Sequence, residues 1–86
     1  MDKRALDESA AVINAACRDW SVPIGGGAMA MASEVKVSGY RWHPEEPLRY
    51  GIQARVERAW YWLTDGQIAG MVRQSRSLIE IASIAV

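Results

Sequence analysis

The sequence predicts a mostly α-helical single domain over residues 1–86, built from three or four helices. An α+β alternative places one short strand or hairpin around 33–40. Three observations predict this class. Leu6, Ala10, Ile13, Cys17 and Trp20 recur at alternating steps of four and three, which is the stripe of a 3.6-residue period. Ile52, Val56, Ala59, Trp60 and Leu63 fit the same template. Thr64-Asp65-Gly66-Gln67 is a capping box, Thr followed three residues on by Gln, set in front of an apolar run.

The first helix is expected over 3–20. Asp2 and Asp7 lie near its positive end, and Pro23 with the glycines behind it closes the segment. Its narrow, Ala-rich stripe serves either the chain's own core or the seam of a homodimer. Leu6, Ala10, Ile13 and Cys17 are the candidate self-association residues. Residues 21–28 read as a Gly-rich loop around Gly25, Gly26 and Gly27. No Lys-Ser or Lys-Thr follows, so this is not a phosphate-binding P-loop.

Residues 30–38 read as strand or helix. Val35 and Val37 alternate with Glu34, Lys36 and Ser38 as a strand requires, while the Ala, Met, Glu and Lys of the same region favour helix. A Pro-containing connector follows over 39–50, with Pro44 and Pro47 bracketing two glutamates. Over 51–63 the helical template accounts for every aliphatic residue, whereas a single strand leaves Arg58 and Leu63 misplaced, so a helix is expected. A last helix is expected over 65–84, with Ile68, Met71, Val72 and Ser75 on its stripe and Leu78, Ile79 and Ala82 continuing it. Residues 74–77 are a candidate break. The apolar tail 78–86 needs cover from this chain or another molecule, and a terminal strand is its rival reading.

Composition narrows the function. Eighty-six residues make one domain. Ten cationic and ten acidic side chains cancel, which disfavours a nucleic-acid binder, whose charge is normally basic. Residues 40–86 carry six Arg and no Lys, and Arg is suited to planar contacts with carboxylate or phosphate. There are four Trp and three Tyr but no Phe, a bias toward rings with a polar handle that suit interfaces. One Cys excludes an internal disulfide, and one Cys with one His cannot make the usual zinc set, so no metal is expected. No cofactor motif is present. No apolar run spans a membrane and the first residues lack a signal-peptide core, so a cytoplasmic protein is expected. His43, Glu45 and Glu46 sit in the connector without a diagnostic partner, and Cys17 on the apolar stripe is expected to be buried and unactivated. No catalytic residue is assigned.

Binding residues are better supported. On a helix over 51–63, Trp60 lies on the stripe with Ile52 and Val56, Tyr61 turns about 100° away, and Trp62 falls beside the Thr64 cap. Arg55 with Arg58, and Arg73 with Arg76, are three residues apart and share helix faces. Trp62, Tyr61, Arg55, Arg58, Arg73 and Arg76 are therefore the candidate partner-binding set. The plain alternative is a solvated surface on which these arginines pair with Glu57, Asp65 and Glu80.

The stretch RVERAWYWLTDGQIAGMVRQSRSLIEIASIAV resembles the sigma-like helix-turn-helix region of phage Q-type antitermination proteins. There an Arg-Val-x-x-Ala helix precedes helices that end in an Ile-Ala turn, and SGYRWHP is similar to a Gly-Tyr-Pro segment upstream. The resemblance covers 39–86, about half the chain. It implies a transcription-associated binding protein with Arg55, Arg58, Arg73 and Arg76 as contact candidates. Residues after 76 offer only Ser77, Glu80 and Ser83 for reading bases. The expected function is thus a small non-enzymatic regulatory protein acting by protein–protein binding, as a phage or mobile-element accessory factor on the transcription machinery. Its alternative is a nucleic-acid-binding regulator using Arg-rich helix faces.

Overall fold

The first helix stops at Ala15, well before its apolar stripe runs out, and that stop shapes the rest of the chain. In the computed structural model, which describes residues 2–84 and the side chains of 2–81, α1 spans Lys3–Ala15. The Asp2 carboxylate caps it, accepting from the Ala5 N–H at 2.8 Å. On its outer side the Lys3 ammonium donates to Asp7 at 2.9 Å, and this hydrogen bond, with the attraction of the carboxylate, raises the Lys3 pKa. At the far end Cys17 adopts a left-handed φ of 50° while its N–H donates to the Asn14 carbonyl at 3.2 Å. A left-handed residue just past the last turn is a common helix stop, usually Gly. Here it reverses the chain, so Cys17 is exposed rather than buried on a stripe, and Trp20 enters the core from a strand.

The predicted mostly α-helical class of three or four helices is overturned. Among the described residues two helices flank five antiparallel strands in two sheets, an α+β fold. β1 (Trp20–Gly25) and β2 (Ala28–Ala32) form a hairpin where a loose loop over 21–28 is expected. Gly26 and Gly27 close it at φ 60° and 78°, a turn conformation that L side chains resist. β3 (Val35–Tyr40) confirms the strand reading within 30–38. The connector is shorter than 39–50, because β3 runs to Tyr40 and β4 (Arg49–Val56) begins at Arg49. The helix expected over 51–63 is instead most of β4, a two-residue turn at Glu57 and Arg58, and β5 (Ala59–Trp62). The helical segment preceding the last helix, which the phage-protein resemblance implies, is therefore a β-hairpin.

α2 (Asp65–Ile84) starts where the capping box predicts. The Thr64 hydroxyl accepts from the Gln67 N–H at 3.2 Å, and the Gln67 side chain accepts from the Thr64 N–H at 2.7 Å. The helix continues through 74–77 without a break and stays helical to Ile84, which excludes a terminal strand there. Leu78 and Ile81 remain exposed. The side chains of Ala82, Ser83 and the rest of the tail lie outside the described residues, as do residues 85 and 86. Among the described residues no helix is long and apolar enough to cross a membrane.

The second sheet, in the order β3-β4-β5, positions the site. Its inward face carries Val35, Ile52 and Ala54, all buried, in register across β3 and β4. α1 packs against β3, β4 and α2, and Leu6, Ala10 and Ile13 fill the space between them. The base of the β1–β2 hairpin closes the core with Trp20, Val22 and Ala32. Each large apolar side chain here contributes about 1.5–3 kcal/mol by leaving water, so the layer over this one sheet face dominates the fold. The other face has no such cover: Lys36, Arg55 and Trp62 are exposed on it.

Candidate docking face on the second sheet

Strand register decides which side chains share the uncovered face. Lys36 pairs with Gln53 and Gln53 with Trp62; Ser38 pairs with Gly51; Tyr40 pairs with Arg49; Arg55 pairs with Trp60. Side chains alternate along a strand, so these residues all point away from the helices. Gly51 is the gap at the centre. From β3 and β5, on either side of it, Tyr40 and Trp62 lean across the central strand and meet edge to face, with ring centroids 5.2 Å apart at 70°. A Cβ on Gly51 would stand 3.0 Å from Trp62, so glycine is what lets the ring lie there. Trp42, from the loop after β3, packs edge-on to Tyr40 at 6.3 Å and is 76% exposed.

Cations frame the rings. The Lys36 ammonium sits 4.0 Å from the centroid of Trp60, within cation–π range. Arg55 donates to Glu34 at 3.0 Å and to the Glu57 carbonyl at 2.9 Å, which holds it along the sheet. Arg41 donates to the Pro44 carbonyl at 3.4 Å and lines a cleft of about 440 Å³ at the end of β5. The walls of that cleft are Tyr40, Trp42, Tyr50 and Trp62, and its floor reaches the core residues Leu63 and Ile68. Such a volume with an aromatic and aliphatic lining takes one large side chain or a small ring system.

The predicted partner-binding residues fall in four places. Trp62 and Arg55 lie on the open sheet face. Tyr61 is opposite the buried Ala54 and points to the helices, so it is half-buried and does not join Trp62. Arg58 is in the β4–β5 turn, and Arg73 and Arg76 are exposed on α2. No shared helix face of Arg55 and Arg58 exists, because their segment is a hairpin. Trp60, expected in the core, is on the open face. Leu6, Ala10 and Ile13 are turned into this chain's own core, which takes them away from a second copy, and Cys17 has left their stripe. The sequence reading missed Tyr40, Trp42, Lys36 and Gly51. The period-two run of Ile52, Ala54 and Val56 against Gln53 and Arg55 was the signal that could have found the sheet face.

Among the described residues no group of three or more His, Cys, Asp or Glu is placed to hold a metal ion. His43 and Glu45 are exposed in the loop before β4. Comparison with known proteins gave no match to a family model, to a curated protein or to a solved structure.

Proposed function

We propose that this chain is a small non-enzymatic regulatory protein that acts by protein–protein binding, with the open face of β3–β5 as its docking surface. The observation that carries the proposal is the Tyr40–Trp62 pair meeting over Gly51, with Trp42 beside it. Half-exposed Trp and Tyr with neighbouring Arg are the side chains that dominate protein interfaces. Their position on regular strands and against one another means little rotamer freedom is left to lose on binding.

Two features favour protein over nucleic acid. A stacking platform needs free ring faces, and here Lys36 occupies one face of Trp60 and the edge-to-face contact between Tyr40 and Trp62 takes up another. The arginines of the nucleic-acid alternative are also split between sheet, turn and α2. A role on the transcription machinery, which the resemblance to phage antitermination proteins implies, would accordingly work through a protein contact and not through base readout.

The test is capture of the partner from a lysate of the native cell, its identification, and titration of the purified partner against the chain. Trp62→Ala is expected to lose the partner while the far-ultraviolet circular dichroism stays that of the parent. Full binding by Trp62→Ala together with loss on Arg73→Ala or Arg76→Ala would move the function to α2 and end this proposal.

A further inference from the structure

The charges on the docking face point to the chemistry of its partner. Every charged residue within β3, β4 and β5 is a cation: Lys36, Arg49 and Arg55. The register puts all three on the uncovered face, although the chain as a whole is neutral. Arg55 is neutralised by Glu34 at 3.0 Å. Lys36, Arg49 and the adjoining Arg41 have no carboxylate partner among the described residues. Among the described residues Asp65 is the one carboxylate lining the cleft, and it belongs to the first turn of α2, where the helix dipole offsets its charge. Glu45 and Glu46 in the neighbouring loop do not line the cleft.

The face therefore offers unpaired positive charge around an apolar recess. Resting on the protein-binding reading above, we propose that the segment recognised here is an acidic peptide carrying a large apolar side chain. The apolar side chain fills the recess between Tyr40, Trp42 and Trp62, reaching toward Leu63 and Ile68. Flanking carboxylates pair with Lys36, Arg41 and Arg49, which arginine in particular does through two parallel hydrogen bonds.

The experiment is fluorescence anisotropy on the full chain with four labelled probes. They are a peptide with Leu-Trp flanked on both sides by Asp and Glu, the same peptide with Asn and Gln for the acids, the same peptide with Ala-Ala for Leu-Trp, and oligothymidylate of similar charge. The acidic Leu-Trp peptide is expected to bind, more weakly as salt rises. Its affinity should fall about tenfold in the double variant Lys36→Ala/Arg41→Ala, in Trp62→Ala, and on either change to the peptide. Lys36 and Arg41 are exposed, so their removal leaves the fold intact, which circular dichroism checks. Equal binding of the Asn/Gln peptide, with no effect of the double variant, would overturn the acidic class and leave protein docking standing. Oligothymidylate bound while every peptide is ignored would overturn both. No binding of any probe would reject the acidic-peptide inference alone, since the captured partner still decides the docking reading.

Discussion

The side-chain amide of Asn14 pairs with both backbone groups of Val35, donating to its carbonyl and accepting from its N–H, each at 2.9 Å. This clamp ties the last turn of α1 to the first residue of β3, the strand that carries Lys36 and Tyr40. An amide donates and accepts side by side at this spacing, which an ionised carboxylate cannot do. Asn14→Ala should cost about 1–3 kcal/mol, because it leaves both backbone groups of the buried Val35 without that partner. Asn14→Asp keeps the acceptor but sets a carboxylate against the Val35 carbonyl, so it should be at least as damaging. Urea denaturation of the three proteins checks the order. Equal midpoints would mean that helix and strand are held by packing alone.

The reciprocal bonds between Thr64 and Gln67 fix where β5 ends and α2 begins, and so the wall of the cleft beside Trp62. Thr64→Ala removes the hydroxyl that accepts from Gln67 and should lower stability by about 1 kcal/mol. Thr64→Ser, which keeps the oxygen, should recover most of that loss. Thermal unfolding of the pair measures it, and a Ser variant no better than Ala would show that the cap does not contribute.

The capping box was legible because it is a local device, complete within four adjacent residues. Leu6, Ala10 and Ile13 were legible for the same reason, since one face of one helix carries them all. The region 51–63 misled because its turn falls at Glu57-Arg58, a pair without the Gly or Asn that marks tight hairpins. Inward residues there are Ile52, Ala54 and Val56 before the turn, and Ala59, Tyr61 and Leu63 after it. The two-residue turn shifts the alternation from even to odd numbers. The subset Ile52, Val56, Ala59 and Leu63 then falls at steps of four, three and four and imitates a helix stripe. The docking face was illegible because Tyr40, Gly51 and Trp62 meet only through strand register, which no single segment encodes.

That same turn holds a strained residue. Glu57 has φ 55°, a left-handed conformation that costs a side chain with a Cβ about 1 kcal/mol and that Asn tolerates better. Its carbonyl, not its carboxylate, accepts from Arg55, so the bond survives a change of side chain. Glu57→Asn should therefore raise stability by about 0.5–1 kcal/mol, with partner binding at Trp62 unchanged. A lower unfolding midpoint for the Asn variant would count against the strain argument.

Gly51 offers the sharpest separation of fold from function. Its backbone is ordinary β-strand, so a side chain is excluded only by Trp62, whose ring would stand 3.0 Å from a new Cβ, with the edge of Tyr40 at 3.8 Å. The obstruction lies on the uncovered face and leaves the opposite face, with Ile52 and Ala54, untouched. Gly51→Val should thus swing the Trp62 ring outward and break its contact with Tyr40. Val suits a strand better than Gly, so the overpacking cost of about 1–3 kcal/mol is partly offset and the protein should stay folded. Near-ultraviolet circular dichroism should lose the signal of the coupled rings while the far-ultraviolet spectrum holds. Partner affinity should fall about as far as in Trp62→Ala, since both changes dismantle the same corner. A Gly51→Val variant with an unaltered near-ultraviolet spectrum would mean the rings do not meet over this glycine, and full affinity despite an altered spectrum would place the partner elsewhere.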